Sequence, residues 1–166
     1  MCLIHRNQFP PRRWTCLSTY GVEGEKESDM FREPIITGEL YHIYNKSISG
    51  YEIFNNDSEY SRMEETMQYY RADKPSIKFS RFKEMSISYS KVFGSNTEKL
   101  IQIICYCIMP THIHLVLKQL KDKGISIFMG NLLNSYSRYF NIKHNRKGPL
   151  WEGRFKKVLV ETDEQL

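Results

Sequence analysis

Residues 109–118 read Met-Pro-Thr-His-Ile-His-Leu-Val-Leu-Lys. Alternate residues of a β-strand point to one face, so His112 and His114 aim two imidazoles at a common point. Neutral imidazoles so placed can hold a divalent metal. Ile113, Leu115 and Leu117 then face the other way, into a core. Two idle surface histidines would give the same spacing, and the surroundings decide between the readings. The preceding run Leu100–Ile108 is nearly continuous apolar, as expected of a central strand covered on both faces. Pro110 ends it, so the stretches 100–108 and 112–118 are expected to pair as a hairpin. The two histidines would then open a central strand, where an unpartnered imidazole is costly.

The elements around this hairpin follow from periodicity. Glu39–Asn45 suggests a first strand by its β-branched and aromatic residues, and turn signals follow at Asn45-Lys46-Ser47 and Ser49-Gly50. A helix is predicted from an N-cap region at Asp57-Ser58 to about Tyr70, with Tyr60, Met63, Met67 and Tyr70 on one stripe. Residues 74–99 read as a loop and a further helical stretch through Phe82, Met85 and Tyr89. Gly124 to Lys143 is the clearest helix, with Ile125, Phe128, Met129, Leu132, Leu133, Tyr136 and Phe140 on a core-facing stripe. Asn134, Arg138 and Asn141 fall on its opposite side. Phe155–Val160 reads as a last strand after the stop at Gly148-Pro149. Strand, helix, two strands, helix, strand predicts an α+β fold of ferredoxin-like (palm- or RRM-like) kind, an antiparallel sheet with helices packed on it.

The chain has 166 residues, 40% of them hydrophobic, enough for one domain with a proper core. Residues 1–29 lack sustained periodicity and are expected to be a flexible extension or an upstream start, leaving 30–166 as the domain. No apolar run approaches the ~20 residues that cross a bilayer, and the first residues carry no signal-peptide pattern. Cys2, Cys16, Cys105 and Cys107 form no CxxC pair. Cys105 and Cys107 are expected as core thiols, with a zinc site shared with the histidines as the minor alternative. A reduced, cytoplasmic setting fits this cysteine usage.

The net charge of +5 is concentrated. Residues 118–157 carry ten basic side chains against Asp122 and Glu152, a local charge of +8 that leaves −3 for the rest. A solvated helix face mixes signs; this tract does not, and it reads as a polyanion site.

Four runs resemble the single-tyrosine, His-hydrophobic-His transposases, in particular the REP-associated tyrosine transposases of bacteria. They are Tyr41-His-Ile-Tyr-Asn-Lys-Ser, Tyr106-Cys-Ile-Met-Pro-Thr-His-Ile-His-Leu-Val-Leu-Lys, Tyr136-Ser-Arg-Tyr-Phe-Asn, and Lys147-Gly-Pro-Leu-Trp-Glu-Gly-Arg-Phe-Lys-Lys-Val-Leu-Val-Glu. They occur in the family's order over roughly 30–166, and the Met-Pro-x-His-x-His and Gly-x-Leu-Trp-x-Gly-Arg-Phe boxes together are specific. The resemblance implies His112 and His114 as catalytic metal ligands for Mg²⁺ or Mn²⁺ and single-stranded or hairpin DNA as substrate. It also implies strand transfer through a 5′-phosphotyrosine, the metal polarising the scissile phosphate. Imidazole suits Mn²⁺ better than Mg²⁺. A third ligand is expected from elsewhere; His42 on the first strand could be a neighbouring ligand but reads first as a structural histidine. No membrane partner is implied, and a homodimer is admitted.

The resemblance has a gap. Relatives carry the nucleophile in a Tyr-x-x-x-Asn-Pro run after the last strand, and the sequence up to Leu166 contains no Asn-Pro. The expectation is a chain truncated relative to the family, or service by another tyrosine. Tyr136 and Tyr139 are the substitutes, although a helix docked on the apolar sheet face would hold Tyr136 away from the histidines. Arg138, Lys143, Arg146, Lys147, Arg154, Lys156 and Lys157 suit phosphate contacts. Trp151 suits base stacking or, equally, a core plug. Three functions stay open: a metal-dependent nicking and joining transposase domain, a non-catalytic binder of single-stranded nucleic acid, and a metal hydrolase. The last would need a general base that residues 109–118 do not offer.

Overall fold

Alternation is strictest in the strand that carries the histidines, and it sets the sheet. The structure, a computed structural model, describes residues 33–73, 75, 77–86, 92–93 and 97–161. The proposed extension at 1–29 therefore lies outside the described residues, as does Tyr89.

The sheet has four strands, β1 (Leu40–Lys46), β2 (Ile101–Met109), β3 (His112–Gln119) and β4 (Lys156–Leu159). Their order is β2-β3-β1-β4, every neighbouring pair antiparallel. Between β1 and β2 lie helices α1 (Asp57–Tyr70) and α2 (Phe79–Glu84), and between β3 and β4 lies α3 (Gly124–Lys143). This is the ferredoxin-like arrangement expected from the element order: two strand–helix–strand crossovers interleaved so that β1 and β3 are central.

One sheet face is the core face. Ile43, Ile113 and Leu117 are fully buried there beside Tyr41 and Leu115, under Met63 and Met67 of α1 and Ile125, Phe128, Leu132, Tyr136 and Phe140 of α3. Burial of each such side chain contributes about 1.5–3 kcal/mol. The α3 stripe is as its periodicity predicts except at Leu133, which is only partly buried at the stripe's edge.

The α1 stripe is only half as predicted. Met63 and Met67 are buried, but Tyr60 and Tyr70 are partly exposed, and Glu59, Thr66 and Tyr69 are buried instead. The cause is a second partner: α1 also covers α2, and Tyr69 packs against Phe79 and Phe82 at ring-centroid distances of 5.0 and 5.1 Å. The N-cap of α1 is Asn56, one residue before the expected region. Met85 is exposed just beyond α2.

A second correction concerns β2. The apolar run predicts a central strand, yet β2 is an edge strand. A bulge between Ile103 and Cys105 makes Ile104 the extra residue, and Ile104 turns outward. The bulge breaks the alternation that would have marked one face as polar. Cys105 and Cys107 are not core thiols; they are half-buried, registered opposite Val116 and His114.

The start of α3 is pinned by a close backbone approach. A Cβ on Gly124 would lie 2.3 Å from the Leu100 carbonyl oxygen, which also accepts from the Leu120 and Lys121 amides at 3.0 and 3.3 Å. The clash would be with backbone, which cannot swing aside. Gly124→Ala is therefore expected to destabilise the fold by about 1–3 kcal/mol, read as a lowered melting temperature; an unchanged melt would show that the α3 start shifts freely.

Candidate functional site

Register places the histidines. His112 and His114 are the first and third residues of β3, on the face opposite Ile113, Leu115 and Leu117. Cross-strand partners share a face, so His112 lies between Met109 and Lys46, and His114 between Cys107 and Tyr44. The two imidazole centroids are 5.1 Å apart. The helices α1 and α3 pack on the other face, so both rings stay half-buried rather than sealed.

His42 joins the pair. It stands opposite Val116, one diagonal step from His114, and its Nε2 lies 2.9 Å from His114 Nδ1. His112 Nδ1 lies 2.9 Å from Thr111 Oγ1. Burial, then the proximity of His42, His112 and Lys46, pushes the His114 pKa down to about 4. Burial lowers His42, and burial followed by Lys46 lowers His112. Each of these shifts favours the neutral form that a metal ligand requires. Among the described residues no three His, Cys, Asp or Glu side chains converge as a ligand set. That outcome disfavours the zinc site with Cys105 and Cys107, since structural zinc takes four protein ligands. Two half-buried imidazoles, with the remaining positions left to water and phosphate oxygens, would fit a loosely held Mn²⁺ or Mg²⁺.

The basic tract divides between the two sides of the sheet. Lys156 pairs with Tyr44 on the histidine face, as Lys46 pairs with His112. Lys46, Arg154 and Lys156, with Tyr44, Asn45, Gly153 and Glu152, line a cavity of about 500 Å³. Arg138 and Lys147 are exposed, Arg138 on α3 in the helix layer. Lys143 is committed to the protein itself, at 2.9 Å from Glu59. Arg146 donates to Asn141 Oδ1 at 3.2 Å and lies over the Tyr51 ring. Lys157 donates to the Glu33 carbonyl and lies 5.8 Å from the Tyr41 ring centroid.

The aromatic candidates sit away from the histidines. Trp151 is 9% exposed within the main core, its Nε1 donating to the Leu133 carbonyl, which favours the core plug over base stacking. Tyr136 is fully buried and its hydroxyl donates to the Ile53 carbonyl at 2.6 Å. Burial, then the Glu59 charge, drives its pKa up, the opposite of what a nucleophile needs. Tyr139 is half-buried beneath the Arg62 guanidinium, 4.8 Å from its ring centroid. Both tyrosines stand on α3, across the sheet from His112 and His114.

Sequence reasoning passed over Tyr44 and Lys46. Of the three strand tyrosines among the described residues, Tyr44 shares the histidine face, its ring stacked on His114 at 5.8 Å. The signal was available: His42, Tyr44 and Lys46 alternate along β1.

Two solved structures resemble this fold at 11% identity. A REP-associated tyrosine transposase bound to a REP hairpin aligns with a TM-score of 0.49 over 83% of this chain and 66% of its own, so the chain spans just under two thirds of that protein. A Deinococcus radiodurans R1 protein assigned as a transposase aligns at 0.46 over 85% and 90%. No curated protein sequence matches the chain. The family model described as "Transposase IS200 like" matches residues 80–165, a span that takes in the histidine strand, α3 and β4 and covers more than half of the sequence. The chain belongs to the IS200-like transposase family.

Proposed function

We propose that this chain is the DNA-handling domain of a transposase that binds single-stranded, hairpin-forming DNA and, with Mn²⁺ or Mg²⁺, supports nicking and joining through a 5′-phosphotyrosine. The observation that carries the reading is the placement of His112 and His114 side by side on the face of a central strand opposite α1 and α3, with Lys46, Arg154 and Lys156 around the adjoining cavity. A bound divalent ion would supply Lewis acidity at a phosphoryl oxygen. The chain's own residues do the rest. The two imidazoles hold the ion's place, and the three cations draw the phosphodiester backbone along β1 and β4. Tyr44 offers a flat ring to an unpaired base.

The attacking tyrosine is assigned by experiment. A labelled single-stranded hairpin incubated with Mn²⁺ and the full gene product should give a denaturation-resistant protein–DNA adduct, and peptide mapping of that adduct names the residue. Its absence at every Mn²⁺ concentration would leave the non-catalytic binder as the function.

Binding is testable without the chemistry. Four to six phosphate contacts, about what the exposed cations supply, would give a slope of roughly −3 to −4 in log affinity against log salt for single strands. Affinity should thus fall by about 100-fold between 50 and 200 mM salt. A flat response would remove phosphate neutralisation as the driving interaction.

A further inference from the structure

The two metal-facing histidines are each held by the same ring nitrogen. His112 Nδ1 is within 2.9 Å of Thr111 Oγ1, and His114 Nδ1 is within 2.9 Å of His42 Nε2. The His42 and His114 rings are tilted by only 15°, and their centroids are 5.1 Å apart. That separation exceeds the nitrogen–nitrogen distance by close to two imidazole radii. The two nitrogens therefore face each other along the line of centres, in the geometry of an in-plane hydrogen bond rather than a face-to-face stack.

A hydrogen bond between two neutral imidazoles has one donor and one acceptor, and the choice has consequences. If His42 donated, His114 would carry its proton on Nε2 and have no lone pair left for an ion. If His114 donates from Nδ1, its Nε2 lone pair is available. The same logic at His112 makes Thr111 Oγ1 the acceptor. We infer that His42 is a positioning residue, not a metal ligand: its Nε2 accepts from His114 Nδ1–H, as Thr111 Oγ1 accepts from His112 Nδ1–H, so both metal-facing rings present Nε2. Outer partners of this kind fix ring orientation and tautomer in metal sites generally. The assignment also fixes His42 itself, which must keep its proton on Nδ1 and so has no lone pair to give the same ion. The inference rests on the metal reading proposed above and identifies the residue that makes it work.

Two measurements test it. Long-range ¹H–¹⁵N correlation spectra of the metal-free protein, with each ring assigned by single variants, report the tautomers directly. The expected result is a proton on Nδ1 in His42, His112 and His114; a proton on His114 Nε2 overturns the inference whatever the metal does. Second, Mn²⁺ binding is followed through the electron-paramagnetic-resonance signal of the free ion. His42→Phe keeps the ring but removes the acceptor and should weaken binding about 10- to 100-fold. His42→Gln, whose amide oxygen can accept the same hydrogen bond, should recover most of it. If the unmodified protein binds Mn²⁺ and His42→Phe binds equally well, the positioning role fails while the metal reading survives. If the unmodified protein binds no Mn²⁺, the metal reading itself fails and takes the role with it. Should His42→Phe not fold, the tautomers of the unmodified protein still decide.

Discussion

Replacing His114 with alanine should lower Mn²⁺ affinity by on the order of 100-fold or more, and His112→Ala should do the same. Each variant removes one of two imidazoles that the sheet sets side by side, and among the described residues no third His, Cys, Asp or Glu completes the set. A single remaining ring cannot hold a hard, well-hydrated cation against water. The fold should tolerate the change. His114 is half-buried on the face away from α1 and α3, and its truncation opens no space in the main core. Its melting temperature should stay close to the unmodified value, and affinity for single-stranded DNA at low salt should stay within about threefold, because phosphate neutralisation does not pass through the imidazoles. The paired readout separates the roles. Retention of Mn²⁺ binding by both variants would dismiss the histidines as the metal site.

The largest effect on stability is expected at a residue far from the chemistry. Glu59 is a carboxylate in the first turn of α1 with a side chain that solvent does not reach. It accepts hydrogen bonds from the Asn55 amide at 2.7 Å and from His144 Nε2 at 2.7 Å, and Lys143 Nζ lies 2.9 Å away. Burial would raise its pKa, but the Asn55, Lys143 and His144 contacts outweigh it and bring the value down to about 2. Its folded pKa thus lies below the ordinary value of 4.5, so the stabilisation is fully present above that value and is lost as pH falls from 4.5 toward 2. The shift corresponds to about 3 kcal/mol at neutral pH. Glu59→Gln is accordingly expected to cost about 2–4 kcal/mol at pH 7 in urea unfolding. The difference from the unmodified protein should shrink as pH is lowered toward 2. Equal stability of the two proteins at pH 7 would rule out the clamp.

That clamp marks where sequence reading stops. The 3.6-residue period of α3 and the alternation of β3 are local signals, and both elements lie where those signals put them. The order of elements was enough for the ferredoxin-like sheet, because short connections and right-handed crossovers leave few alternatives. Glu59 gave no such signal. An acidic residue at a helix start reads as a solvated contributor to the helix dipole, and its burial depends on partners 85 residues away in the chain. The bulge in β2 was equally hidden, since a run of apolar residues reads the same with or without an extra member. At the site, the His112 and His114 pair was legible as a spacing. The part played by His42 was not, because a diagonal contact between β1 and β3 exists only once register is fixed.

Charge shows the same limit from the other side. Counted along the chain, the tract 118–157 is one basic block. Folded, it is divided: Arg154 and Lys156 line the cavity beside the histidine face, Arg138 stands in the helix layer, and Lys143 and Lys121 are taken up in ion pairs with Glu59 and with Asp73 and Glu98. A linear count cannot divide cations between the two sides of a sheet.

The strand β3 makes chemistry and folding inseparable in one respect. Its odd positions hold up the hydrophobic layer while its even ones carry the imidazoles, so a one-residue slip of its pairing register would turn Ile113, Leu115 and Leu117 to water and drive the histidines inward. A gene copy that drifts cannot shed the histidine pair by slippage and still fold. It can lose the pair only by replacing the rings themselves, which leaves a recognisable scaffold behind.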